Sequence, residues 1–163
     1  MKKLLILLLL LFISCEEKKD GEISKFVGTW VVTEMGTYQV ATCSGEVDDT
    51  EWRGLKGKGL TITLQIYKDG TGEEVITGPK PSTTTLTWYD IGETFCFGGN
   101  CYNYEMAINN KSFSVNTVDD AYCIDEDYAV TNHITEKTCQ DASTSNQWFP
   151  AKCHRTRYKK QIN

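Results

Sequence analysis

The sequence predicts an all-β domain, an antiparallel up-and-down β-barrel of about eight strands, with a β-sandwich as the alternative. Three observations carry this. From Phe26 onward the apolar residues recur with a period of two, as they do in half-buried strands. Turn signals interrupt these runs at short spacing, in "KDGTG", "GGN" and "NNK". No stretch after Phe26 shows a helical period, so no helix is expected.

The elements follow in order. Phe26 to Val32 opens the folded part as a first strand. Thr37 to Gly59 is long, glycine-rich and polar, and is expected to be a loop. Leu60, Ile62, Leu64 and Ile66 alternate with Thr61, Thr63 and Gln65 and make a strand that ends in the hairpin signal Lys68 to Gly72. Leu86 and Trp88 continue the pattern, then Phe95-Cys96-Phe97, then Cys101 to Ile108, and Asn109-Asn110-Lys111 turns the chain into Phe113-Ser114-Val115. Tyr128, Val130 and Ile134 alternate with Thr131, His133 and Thr135, and Lys152 to Lys160 alternates at the end. Several short strands separated by turns are the signature of an antiparallel barrel or sandwich.

The first residues are a different material. Lys2 and Lys3 precede an unbroken apolar run from Leu4 to Ile13. As a helix that run rises only about 15 Å, against a ~30 Å hydrocarbon core, so it is too short to span a membrane. It matches the basic n-region and apolar h-region of a secretory signal. The chain carries a net charge of −5, which argues against a nucleic-acid partner, since those surfaces need a basic face.

Seven cysteines are present. With Cys15 set aside at the signal junction, Cys43, Cys96, Cys101, Cys123, Cys139 and Cys153 remain, and in an exported domain they read as up to three disulfides. "CFGGNC" allows one pairing to be derived. If Gly98-Gly99 is a two-residue turn, Phe97 and Asn100 close it as a hydrogen-bonded pair. Cys96 and Cys101 then form the next, non-hydrogen-bonded pair, with Cα atoms about 4.5 Å apart and both side chains on one face. A Cys96–Cys101 disulfide is expected, with a zinc site using ligands from elsewhere as the alternative. Of the other four cysteines, Cys139 with Cys153 is the suggested pair, closing the polar stretch "QDASTSNQWFPAK".

Phe12-Ile13-Ser14-Cys15 resembles a bacterial lipoprotein signal, in which an aliphatic residue and two smallish residues precede an invariant cysteine. The resemblance implies a diacylglyceryl thioether on Cys15, cleavage before it and acylation of the new amino group. Residues 1 to 14 would be the signal peptide, 15 to 24 a lipidated tether and 25 to 163 the barrel domain. Cleavage would remove Lys2 and Lys3 and no acid, taking the charge from −5 to −7. Two or more acyl chains anchor stably where one binds only marginally. The implied location is the bacterial cell envelope, at the outer membrane, periplasmic or surface-exposed, with the membrane as a partner through Cys15.

Gly28-Thr29-Trp30 on the first strand resembles lipocalins, and the later order of "DGTG" at Asp69 to Gly72, Thr87-Trp88 and short hairpins is similar to small bacterial lipocalin-like domains. The likeness covers roughly Phe26 to Val118. It implies an eight-stranded barrel with a cup-shaped cavity, the motif tryptophan Trp30 plugging the closed end, and an arginine of the last strand, Arg155 or Arg157, packed over it. The first loop of the family often lies over the mouth. The family's late helix has no clear counterpart in the sequence.

No catalytic set is evident. His133 and His154 have no metal-ligand spacing, no serine or cysteine lies in a nucleophile elbow, and there is no phosphate loop or cofactor motif. Asp119, Asp120, Asp125, Glu126 and Asp127 are dense but match no calcium loop, and read as a solvated acidic loop, with a weak calcium site as the alternative. The aromatics are divided between core and cavity, with Trp88, Tyr102, Tyr104 and Phe113 as candidate ligand contacts. The expected function is a non-enzymatic, membrane-anchored lipoprotein whose barrel binds a small apolar ligand or serves as an envelope module. The alternative is a disulfide-stapled surface protein-interaction or inhibitor module built on Thr37 to Gly59 and Gln140 to Lys152.

Overall fold

A computed structural model describes residues 23–162. The strands are β1 (Gly28–Tyr38), β2 (Val47–Asp48), β3 (Thr61–Ile66), β4 (Thr71–Thr77), β5 (Ser82–Ile91), β6 (Thr94–Phe97), β7 (Asn100–Met106), β8 (Ser112–Asp119), β9 (Tyr122–Ile124), β10 (Gln147–Phe149) and β11 (Lys152–Lys160), with helices α1 (Thr50–Gly57) and α2 (Glu136–Ala142). The main sheet runs β11-β8-β7-β6-β5-β4-β3-β1, with the short β2 added at the end of β1, and β1 also pairs with β11. Every pairing is antiparallel, so eight strands close into an up-and-down barrel of lipocalin-like architecture. The β1–β11 seam excludes the sandwich, because neither strand keeps a free edge.

The barrel has a base and a mouth. At the base lie the start of β1, the β3–β4, β5–β6 and β7–β8 turns, and the end of β11. Phe26, Trp30, Phe95 and Phe113 are buried there. The Trp30 indole N–H donates to the Phe26 carbonyl at 2.6 Å, so the buried donor is satisfied. Phe26 stacks on Phe95 at 4.2 Å and meets Phe113 edge-on at 5.2 Å, and Phe113 stacks on Tyr158 at 4.6 Å. Such pairs add to simple area burial because the ring edge is positive and the face negative. The chain enters at this end, where the Ser24 hydroxyl donates to Asp90.

The "CFGGNC" hairpin has the register derived from the sequence, with Phe97 opposite Asn100 and Cys96 opposite Cys101. Gly98 and Gly99 both have positive φ, 58° and 84°, the pair of conformations that a tight twisted hairpin turn demands and that only glycine adopts freely. The Cys96–Cys101 disulfide is present, with Cα atoms 4.0 Å apart.

Several expectations need correction. Cys139 does not pair with Cys153. Cys43 bonds Cys153 and Cys123 bonds Cys139. The reason is register. Cys153 lies opposite Tyr38 at the end of β1, which brings it to the chain just after β1, where Cys43 sits. Cys139 is on α2, which packs against β9 and its Cys123.

The helices were not expected either. α1 is only two turns long and holds one buried anchor, Trp52, whose N–H donates to the Thr33 carbonyl at 3.1 Å. α2 has no apolar stripe at all. A Thr135–Thr138 capping box starts it and its disulfide fixes it to β9. The Thr37–Gly59 stretch is therefore not a plain loop, since it holds the end of β1, β2 and α1. Tyr128, Val130 and Ile134 belong to no strand. They are 82%, 71% and 85% exposed, and Val130 makes only an isolated bridge to Ile124. Their alternation was real in sequence, but Tyr128 takes a left-handed conformation that breaks any strand there.

Candidate ligand cavity at a notch in the barrel wall

The site follows from the shortness of one hairpin. β6 has four residues before the Gly98-Gly99 turn reverses the chain. It pairs only with Trp88 to Ile91 of β5, and the Gly98 N–H donates to the Thr87 carbonyl, which leaves Ser82 to Leu86 with a partner on the β4 side alone. On the other flank β7 reaches only Phe113 to Val115 of β8, so Asn116 to Asp119 pair with β11 alone. The wall is thus cut down between β5 and β8, above the β6–β7 turn. An open cleft of about 600 Å³ lies on the β5 side of this notch, lined by β4, β5 and the β6–β7 hairpin, and is within the ~300–1,000 Å³ range of ligand sites. Leu86, Phe97 and Tyr102 give it an apolar floor, with Glu74, Thr84 and Asn100 as polar groups. The Phe97 and Tyr102 rings lie 5.1 Å apart.

Glu74 points inward for a simple reason. In β4 two glutamates are adjacent, and successive strand residues face opposite sides. Glu74 lies opposite Leu64, which is buried in the core, and opposite Thr84 of the cleft. Glu73 therefore faces the other way, where it accepts from the Tyr67 hydroxyl at 3.5 Å. Behind the cleft stands Tyr158, which is buried. Burial first, then the negative charge of Glu74, pushes its phenol well above the ordinary tyrosine range, so it stays protonated as a hydroxyl.

Of the four candidate ligand contacts, only Tyr102 lines the cleft. Trp88 is a core residue whose N–H donates to the Tyr67 carbonyl at 2.8 Å. Phe113 is enclosed by Phe26, Trp30, Phe95 and Tyr158. Tyr104 packs edge-on against Phe26 with the Lys25 ammonium 4.6 Å from its ring. These three do not line the cleft and pack in or against the hydrophobic core instead. Glu74, Thr84, Leu86 and Asn100 were missed. The signal for Glu74 was in the sequence, as two adjacent acids in a strand put one of them inside.

Trp30 plugs the base, but Arg155 and Arg157 do not pack over it. Lys160 does, opposite Trp30 in register, with its ammonium 5.1 Å from the indole. Lys160, Tyr158 and Thr156 share the inner side of β11, whereas Arg155 and Arg157 face outward and both contact Glu34 at 3.4 Å. An irregularity in β1 between Val32 and Glu34 sets that match.

At the mouth, His154 contacts Thr37 at 3.1 Å and Asp119 at 3.0 Å. His133 is half-buried, with its backbone N–H donating to Thr131. The Asp125 carboxylate accepts from the backbone of Asp127 and Ala129, shaping a turn in the acidic loop. Among the described residues no cluster of His, Cys, Asp and Glu could hold a metal ion. Cys15 lies outside the described residues.

The fold and cleft together define a small disulfide-stapled barrel with a side-opening cavity. No protein-family model and no curated protein sequence matches the chain.

Proposed function

We propose that this protein is an exported, lipid-anchored barrel that holds a small, mostly apolar ligand in the notch beside the β6–β7 hairpin. The observation that carries the ligand half is the cleft itself: about 600 Å³, floored by Leu86, Phe97 and Tyr102, on a scaffold whose base is filled with aromatic rings. A concavity with an apolar floor and a few polar groups is how small-molecule sites are usually built. Export is supported by the three disulfides, which persist in oxidising compartments. Anchoring rests on the resemblance of Phe12 to Cys15 to a lipoprotein signal.

Two measurements test this. In a bacterial host, the full chain should fractionate with membranes and carry acyl mass on Cys15, and Cys15→Ala should abolish both. Recovery of the unmodified protein in the soluble fraction would remove the anchor. For the ligand, the neutral dye N-phenyl-1-naphthylamine should bind at one saturable site, and Leu86→Arg should weaken it at least tenfold. Equal binding by that variant would place the dye elsewhere and remove the cleft.

A second reading has its own observation. Tyr128, Val130 and Ile134 are exposed apolar residues in the 120–151 segment, which the Cys123–Cys139 bridge holds in place. Such side chains suit a protein-interaction module. Capture of one stoichiometric protein partner, lost in Tyr128→Ser/Ile134→Ser, together with no dye binding at the cleft, would favour it.

A further inference from the structure

We infer that the ligand of the notch is a cationic amphiphile, an apolar body bearing one amine-type group that meets the Glu74 carboxylate. This rests on the cleft being a ligand site and goes on to name the chemistry of its occupant.

Glu74 is half-buried and turned to the barrel interior. Among the described residues no cation lies within ion-pairing distance of it, and its carboxylate has no hydrogen-bond donor. The charged groups that could have served are engaged elsewhere. Lys160 lies over Trp30 at the base and donates to the Lys25 carbonyl, and Lys25 lies over Tyr104. Arg155 and Arg157 are on the outer face with Glu34, and His154 is held by Asp119 and Thr37.

A carboxylate taken partly out of water costs free energy unless a donor or a cation compensates it. This one borders a cavity open enough to admit such a group. The surrounding chemistry agrees. Thr84 and Asn100 can accept further N–H bonds, and the Phe97 and Tyr102 rings offer both apolar contact and π faces that attract a cation. The same carboxylate discriminates. A fatty acid of equal length would bring a second negative charge to Glu74 and be rejected by it. The net charge of −5 also favours the approach of cations.

The test uses the full-length protein in phosphatidylcholine nanodiscs, titrated calorimetrically with three near-isosteric probes, and empty nanodiscs as the blank. The probes are 2-phenylethylamine, 2-phenylethanol and phenylacetate. The amine should bind at least tenfold more tightly than the alcohol, and the carboxylate more weakly than both. Glu74→Gln should erase the amine preference while leaving alcohol binding within about twofold. Glu73→Gln, on the opposite face of the same strand, should keep the preference. Equal binding of amine and alcohol, or a preference that survives Glu74→Gln, overturns the cationic assignment and leaves the apolar cleft standing. Failure of all three probes to bind overturns the cleft as a ligand site as well.

Discussion

Removing the Cys43–Cys153 bridge should be the most destabilising of the three disulfide deletions. Its two cysteines are 110 residues apart, against 16 for Cys123–Cys139 and 5 for Cys96–Cys101. A bridge restricts the unfolded chain by an amount that grows with the logarithm of the loop it closes. By that relation the three contribute about 4.8, about 3.1 and about 2.1 kcal/mol at 25 °C. The structure supplies a second reason for the order. Cys153 opens β11 opposite the end of β1, so the bridge pins the seam that closes the barrel. The other two tie a hairpin and an insertion that are already local. For a domain of this size, 1 kcal/mol moves the melting temperature by about 2–4 °C. The double variant Cys43→Ala/Cys153→Ala should therefore melt about 10–20 °C below the wild type in a calorimetric scan. Cys96→Ala/Cys101→Ala should lose less than half of that. An equal loss in all three variants, or the reverse order, would refute both the entropic argument and the seam.

Other outcomes follow from the same contacts. Trp30→Ala should cost about 3–5 kcal/mol in urea unfolding, since it empties the centre of the aromatic base. Lys160→Met should lose no more than about 1 kcal/mol, whereas Arg157→Met, remote from the indole, should leave the fluorescence of Trp30 unchanged. Gly99→Ala should cost about 1–2 kcal/mol by equilibrium unfolding, because its φ of 84° lies where a Cβ is penalised. Tyr158 gives a pH signature. Its folded phenol is raised above the ordinary value of 10.0, so the unfolded chain ionises first. Its contribution is complete below pH 10.0 and is lost as the pH rises beyond it, by up to about 1.4 kcal/mol per pH unit. Denaturant unfolding between pH 9 and pH 11.5 should show this fall, and Tyr158→Phe should reduce its slope.

Local rules made part of this molecule legible. The Cys96–Cys101 bridge needed only the hairpin register and two glycines. The barrel needed only period-two runs and frequent turns. What was not legible depends on which distant residues share a face. The partners of Cys139 and Cys153 were set by the β1–β11 seam and by the docking of α2 on β9, and no local pattern reports either. Lys160 replaces the arginines over Trp30 because the β1–β11 register puts Lys160 opposite Trp30, and strand alternation turns Arg155 and Arg157 to the other face. The helices escaped notice because one is two turns long with a single anchor and the other is polar all round. The cleft was hidden for a different reason. It is made by the absence of wall above a short hairpin, and the sequence of that hairpin says nothing of its neighbours' greater length. Glu74 alone could have been found, from two adjacent acids in a strand.

Native mass spectrometry of the full-length protein purified from a bacterial expression host tests the central claim most directly. The wild type should retain one copy of a small molecule, and Leu86→Trp, which fills the notch from β5, should retain none at an unchanged melting temperature. A wild-type protein that carries nothing, or a Leu86→Trp variant that carries the same molecule, would contradict a ligand site at the notch.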